Sequence, residues 1–200
     1  MAKATPAIKP LPPPDPALRL KVRGAASNVA GRFEPHARGT EHDGWDIPED
    51  ERLLRTDVSE ERARTIISRN TSPDIPFDRS LNPYRGCEHG CIYCFARPTH
   101  SYLGLSPGLD FETKLVAKPN AAELLAREIG RKSYVPEVFA IGTSTAPYQP
   151  IESRYRIMRG VLQVLSDWNH PVSIVTKGAM IERDLDLIAD MAHRSLITVG

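Results

Sequence analysis

Apolar residues in the second half of the chain recur in two alternating patterns. Long stretches carry them three and four positions apart, which predicts helices with one buried face, and short apolar runs between these stretches predict buried strands. The predicted helices cover 121–129, 157–168 and 181–192, the first opening on the capping-box pair Asn120 and Glu123. The predicted strands cover 75–84, 111–117, 138–142, 172–176 and 196–199. Alternation of strands and helices favours parallel pairing with both sheet faces covered, so the expected fold class is α/β.

The first half of the chain lacks this alternation. Residues 1–17 are crowded with proline, which removes backbone donors and predicts a disordered tail. Residues 18–74 mix glycine and charged residues with few large apolar ones, which predicts an irregular N-terminal arm. One helix is expected in this arm, from Ser59 to Asn70, because Ser59 is a suitable N-cap and two glutamates follow it. The main domain is expected over 75–200.

All three cysteines of the chain lie within residues 87–94, at the spacing C-x3-C-x2-C. Thiolates are the usual ligands of soft metal centres, and this spacing brings three of them to one short loop. A cubane iron-sulfur cluster normally takes four thiolates, so three leave one iron open. An open metal position is typical of a catalytic site rather than a structural one. Cys87, Cys91 and Cys94 are therefore the expected ligands of a [4Fe-4S] cluster.

Other uses of these cysteines are weighed against the cluster. Together with His89 or His100 they could form a Cys3His zinc site, but zinc ligands usually come as two separated pairs, and here there is one tight group. Disulfides are disfavoured because three is an odd number and the N-terminus carries no export signal.

The cysteine spacing, with Tyr93 just before the last cysteine, resembles the cluster loop of the radical S-adenosylmethionine (radical SAM) enzymes. The flanking runs 82–87 and 94–98 resemble the spore photoproduct lyase-related branch of that superfamily, and the likeness extends from about Arg23 to the end of the chain. The resemblance implies a partial (βα)6 barrel, which we expect to be truncated at Gly200 after about four strands. It also implies that one electron from the reduced cluster cleaves SAM to methionine and a 5'-deoxyadenosyl radical, which removes hydrogen from a substrate.

The same resemblance implies roles for residues outside the three cysteines. Thr143 and Ser144 fall where the superfamily contacts the amino group of SAM, with strand-to-helix capping as the alternative. Lys177 falls where an ammonium can pair with the SAM carboxylate, with a merely solvated lysine as the alternative. Tyr93 is expected to pack near the adenine. Relatives often carry an aspartate where this chain has Ala146.

The sequence does not name the substrate. A DNA photoproduct lyase is the narrower hypothesis, but that lyase uses a cysteine near the end of its second strand, and residues 141–144 contain no thiol. A non-catalytic iron-sulfur or zinc module that binds nucleic acid or protein is the alternative from another class. The partners expected for the enzyme are SAM, an unknown substrate and an electron donor such as flavodoxin or ferredoxin. Candidates for the substrate cavity, with packing or surface roles as the alternative, are Arg85, His89, His100, Tyr102 and Tyr148.

Composition narrows these hypotheses only slightly. The 200 residues are 40% hydrophobic and 26% charged, as in a soluble globular chain. The formal net charge of +1 neither supports nor excludes a nucleic-acid partner. The chain lacks an apolar run of membrane-spanning length and a signal-like N-terminus, so we expect no membrane partner and a cytoplasmic location.

Overall fold

A computed structural model describes residues 24–25, 27–35 and 55–200. The disordered tail predicted for 1–17 lies outside the described residues, as does much of the predicted arm. The described chain is a mixed α/β structure with two sheets, which confirms the predicted fold class. None of the described helices is long and apolar enough to cross a membrane.

The larger sheet has five strands, four of which are parallel. The parallel strands correspond to the alternating strands and helices predicted for the second half of the chain. Strands β3, β6, β7 and β8 are parallel and adjacent, and β2 pairs with β3 in the antiparallel sense. The five strands are β2 (Ile67–Arg69), β3 (Arg79–Leu81), β6 (Phe139–Ile141), β7 (Val172–Ile174) and β8 (Ile197–Val199). The strands predicted at 138–142, 172–176 and 196–199 are therefore confirmed in slightly shorter form.

Helices follow the parallel strands and cover one face of this sheet. The α-helices are α1 (Leu109–Thr113), α2 (Ala121–Ile129), α3 (Glu152–Tyr155), α4 (Ile157–Asp167) and α5 (Leu185–His193). Two 3-10 helices cover Arg97–Leu103 and Ala179–Asp184. The three predicted helices correspond to α2, α4 and α5. Phe139 and Ile141 of the central strand are fully buried in the same core as Val161 and Leu165 of α4. The core thus lies between the sheet and these helices, and it leaves the strand ends free to build a site.

The smaller sheet corrects two predictions. It has the order β1 (Asp57–Glu60), β5 (Lys114–Ala117), β4 (Tyr84–Arg85). The helix predicted from Ser59 to Asn70 is wrong, because this segment forms β1 and β2 instead. The backbone of β1 pairs with β5, and the Ser59 hydroxyl donates to the Leu115 carbonyl oxygen at 3.2 Å rather than capping a helix. Of the strand predicted for 111–117, the second part forms β5, whereas the first part belongs to α1.

Two local predictions also fail for identifiable reasons. The strand predicted over 75–84 is limited to β3, because the chain turns at Asn82 and Pro83 and enters the other sheet as β4. The capping box at α2 is wrong, since Asn120 makes no side-chain cap hydrogen bond. The Asn120 amide instead donates to the Ala63 carbonyl oxygen at 3.0 Å and accepts from the Ala63 N–H at 3.3 Å. Asn120 therefore ties the segment before β2 to α2.

Candidate metal and cofactor site

The ends of three strands surround one cavity. The cysteine loop, residues 87–94, follows β4 of the smaller sheet; the hydroxyl loop, residues 142–146, follows β6; and Lys177 follows β7. Because β6 and β7 are adjacent and parallel, their carboxyl ends meet at one edge of the larger sheet, and the cysteine loop lines the same cavity from the smaller sheet. The cavity between them, here called the cysteine cavity, has a volume of about 350 Å³. All seven site residues expected from the sequence line it: Cys87, Cys91, Cys94, Tyr93, Thr143, Ser144 and Lys177.

The three cysteines are free thiols in unequal environments. Cys87 is buried, whereas Cys91 and Cys94 are partly exposed. Burial raises the pKa of the Cys87 thiol, and the nearby Cys91 and Cys94 groups raise it further, against backbone hydrogen bonds at His89 and Ala146 that lower it. A thiolate at Cys87 is therefore favoured only with a positive partner, such as a metal ion.

The donor chemistry of the cavity fits an iron-sulfur cluster, because three soft sulfur ligands face one space. In the described part of the chain, no three His, Cys, Asp or Glu side chains are already arranged to hold a metal ion.

Lys177 brings a positive charge to the thiols. The residue is exposed, and a hydrogen bond with Cys91 raises the pKa of its ammonium group. The ammonium therefore stays protonated beside the cavity, where it can attract a carboxylate.

The hydroxyl loop is held by the end of β3. The Asn82 side-chain oxygen accepts from the Ser144 N–H at 3.1 Å, and its amide nitrogen donates to the Thr143 hydroxyl at 3.2 Å. Thr145 is buried and its hydroxyl donates to the Tyr84 carbonyl oxygen at 3.2 Å. The next helix, α3, begins only at Glu152 and has no side-chain cap, so Thr143 and Ser144 do not cap it. Their hydroxyl groups remain at the cavity wall.

One buried side chain, Gln149, and one partly buried side chain, Arg97, support the cysteine loop, and the sequence assigned a role to neither. Gln149 is fully buried and hydrogen-bonds the backbone of Gly86 and Glu88, on either side of Cys87. Arg97 donates to the Cys91 carbonyl oxygen at 3.0 Å and forms an ion pair with the buried Glu112. Neither residue has a ligand-like spacing from the cysteines, so no sequence signal could have assigned these contacts.

Residues of the N-terminal arm also help to hold the cysteine loop. The Glu112 carboxylate accepts from the Gly24 N–H at 3.0 Å and from the Ala25 N–H at 2.9 Å. Through Arg97, this carboxylate links the arm to the carbonyl group of Cys91. Gly24 and Ala25 thus have a packing role.

Of the five further candidates for the substrate cavity, one lines the cysteine cavity and four make other contacts. His89 lines the cysteine cavity. Arg85 forms an ion pair with Glu61 at 3.3 Å. The other three make contacts elsewhere: His100 is buried with Nε2 2.8 Å from the Lys114 carbonyl oxygen, Tyr148 donates to Asp184 at 3.1 Å, and Tyr102 packs on Phe33 with ring centroids 5.1 Å apart. Packing is therefore the observed role of His100 and Tyr148, and His89 is the histidine placed to serve as a fourth metal ligand.

Comparisons with known proteins give relatives of undetermined function. The chain is 48% identical over 126 residues to uncharacterized proteins of Mycobacterium tuberculosis H37Rv and Mycobacterium bovis, which covers 63% of this chain and 37% of each relative. It is 30% identical over 108 residues to an uncharacterized protein of Methanocaldococcus jannaschii, covering 54% of this chain and 38% of that relative. The chain thus spans well under half the length of these curated relatives. No family model and no solved structure matches it.

Proposed function

We propose that this protein is a radical SAM enzyme, in which Cys87, Cys91 and Cys94 hold a [4Fe-4S] cluster and SAM occupies the remainder of the cysteine cavity. The observation that carries the proposal is the meeting of three thiols, two hydroxyl groups and an ammonium group around one cavity. Its volume of about 350 Å³ falls within the range of small-molecule sites, about 300–1,000 Å³.

Each wall of the cavity offers a partner for one part of SAM. The Thr143 and Ser144 hydroxyl oxygens can accept hydrogen bonds from the amino group, and the Lys177 ammonium can pair with the carboxylate. The ring of Tyr93, which is 82% exposed, offers a flat face to the adenine. When bound, a reduced cluster would supply the single electron that splits SAM into methionine and a 5'-deoxyadenosyl radical. An electron donor such as flavodoxin or ferredoxin would be needed, and the substrate is not assigned.

A second candidate, a Cys3His zinc module, is favoured by one observation. His89 lines the same cavity as the three cysteines and can supply a fourth ligand. Such a closed site would be structural and would leave SAM without a metal position. Metal identity therefore separates the two proposals.

Anaerobic reconstitution with iron and sulfide, followed by metal analysis, tests the enzyme proposal. We expect close to one oxygen-sensitive four-iron cluster per chain in the wild-type protein, and loss of the cluster in Cys87→Ala, Cys91→Ala and Cys94→Ala. After reduction with dithionite, chromatography should detect 5'-deoxyadenosine formed from SAM. Tight binding of one zinc without iron uptake, or a full cluster that yields no 5'-deoxyadenosine above background, would reject the enzyme proposal.

A further inference from the structure

The side chain of Gln149 spans Cys87 on both sides. Its Nε2 donates to the Gly86 carbonyl oxygen at 3.2 Å, and its Oε1 accepts from the Glu88 N–H at 3.0 Å. Gln149 itself is completely buried. Hydrogen bonds of a buried amide to two backbone groups fix the peptide units that they join, because breaking them leaves polar groups unpaired.

The backbone at Cys87 is held from a second direction as well. The Cys87 N–H donates to the Phe111 carbonyl oxygen at 2.9 Å. Gly86, just before it, has a φ of +74°, and a Cβ there would stand 2.6 Å from the Leu115 side chain. The backbone at Cys87 is therefore hydrogen-bonded to α1 on one side and, through its two neighbours, to Gln149 on the other.

The other two cysteines lie in a different setting. They belong to the partly exposed turns of the loop, next to Ile92 and Phe95, whose side chains are 78% and 80% exposed. Cys91 and Cys94 therefore lie on the more exposed side of the loop, and Cys87 lies on its buried side.

We infer that Gln149 is a positioning residue that fixes Cys87, the first of the three cysteines that would hold the cluster. This inference rests on the function proposed above. Gln149 is placed to act through the two peptide groups that flank Cys87. Its loss should loosen Cys87 selectively and alter the environment of the cluster.

The test compares Gln149→Met, which keeps the length of the side chain but removes both hydrogen bonds, with Gln149→Glu, which keeps the acceptor for Glu88. The matched control is Gln163→Met on α4, whose exposed amide donates to Asp167 at 2.8 Å. In metal-free protein, iodoacetamide alkylation is followed for each cysteine by peptide mass spectrometry. We expect alkylation of Cys87 to be about tenfold faster or more in Gln149→Met, from loss of two buried hydrogen bonds. The effect should be smaller in Gln149→Glu and absent in the control.

A second readout uses the reconstituted protein. A loosened loop admits water, and water stabilises the negative charge that reduction adds, so the reduction potential of the Gln149 variants should shift upward and their EPR spectrum should change. If Gln149→Met does not fold, Gln149→Glu carries both measurements. Unchanged Cys87 alkylation, or equal acceleration at all three cysteines, would overturn the inference, as would a wild-type potential and spectrum. A wild-type protein that takes up no iron would reject the proposed function instead, while the alkylation rates would still decide whether Gln149 fixes Cys87.

Discussion

Gly24 packs so closely on the cysteine loop that a β-carbon built on it would stand 1.8 Å from the carbonyl oxygen of Gly90. No flexible side chain can relieve this overlap, because the atom it meets is backbone. Gly24→Ala should therefore displace the arm from the Glu112 carboxylate and destabilise the protein by about 1–3 kcal/mol, the usual cost of overpacking. Urea unfolding gives the stability, and limited proteolysis at the arm reports its release.

Gly160→Ala is the control for this substitution. Gly160 lies in α4, where a β-carbon would meet the Ala122 methyl carbon at 3.2 Å, and alanine favours a helix interior. Its stability should stay within about 1 kcal/mol of the wild type, because the helix preference of alanine offsets the close contact with Ala122. A Gly24→Ala protein with wild-type stability and an equally protected arm would show that the arm does not depend on this close contact.

Lys177→Ala should weaken SAM binding more than cluster assembly, because the lysine supplies charge to the cavity and no ligand to iron. Lys177 is exposed, and an exposed charge pair contributes about 0.2–1 kcal/mol, so the affinity for SAM should fall by roughly twofold to fivefold. Calorimetric titration of the reconstituted protein with SAM measures the affinity, and iron content measures assembly.

Lys132→Ala, at an exposed lysine shortly after α2, is the matched control and should leave both values unchanged. A loss of iron in Lys177→Ala as large as the loss of affinity would place Lys177 in the support of the cluster rather than in the binding of SAM.

A buried ionic group behind the cavity joins α3 to the segment before α5. The fully buried Glu152 carboxylate accepts from the Ile157 and Met158 N–H groups at 3.0 and 3.1 Å, from Tyr84, and from Arg183 at 2.7 Å. Glu152→Gln removes one of the two buried carboxylates that pair with Arg183, leaving Asp184 at 2.8 Å, and it turns an amide N–H donor toward groups that themselves donate to Glu152. We expect a loss of about 3 kcal/mol in the free energy of unfolding.

Glu123→Gln, on the exposed face of α2, should change the same free energy by no more than about 0.5 kcal/mol. Equal stabilities of the two variants by urea unfolding would mean that Asp184 alone satisfies Arg183 and that the pair with Glu152 contributes little.

The sequence predicted α2, α4, α5 and the strands between them because their apolar spacing is local and repeated. The sequence did not predict β1, because this segment becomes a strand only by pairing with β5. Asp57 of β1 lies opposite Lys114, which is far along the chain. Local signals at Ser59, a good N-cap followed by acidic residues, suggested a helix that the tertiary pairing overrides.

The site was predictable to the extent that it depends on residue type and on position after a strand. Three cysteines on one loop and Lys177 after β7 could be placed at one end of the sheet from the βα order. The supporting contacts could not be foreseen, since Gln149 and Arg97 act through backbone groups of the loop and carry no ligand-like pattern. Packing, rather than periodicity, decides which polar side chain reaches which peptide group.

His170 lies far from the cysteine cavity in a buried contact that should make stability depend on pH. Its ring stacks on Phe139 with centroids 4.3 Å apart, accepts from the Tyr134 hydroxyl at 2.6 Å and donates through Nδ1 to the Pro171 carbonyl oxygen at 2.9 Å. Burial lowers the pKa of His170, and the positive charge of Arg79 lowers it further. Burial likewise lowers the pKa of His100.

As pH falls below about 6.5, the ordinary pKa of histidine, His170 and His100 become protonated in the unfolded chain while they stay neutral in the folded protein. Stability should therefore be full above about pH 7 and decrease as pH falls through 6.5 toward the lowered pKa values of the folded state. Urea unfolding of metal-free protein at pH 7.5 and 5.5 measures the difference in the free energy of unfolding.

In His170→Gln this pH difference should shrink to the part contributed by His100 and other groups. The control is His193→Gln, at an exposed histidine ending α5, which should keep the wild-type difference. A wild-type protein that gains stability toward pH 5.5, or a His170→Gln variant with an undiminished difference, would contradict a buried neutral imidazole at this position.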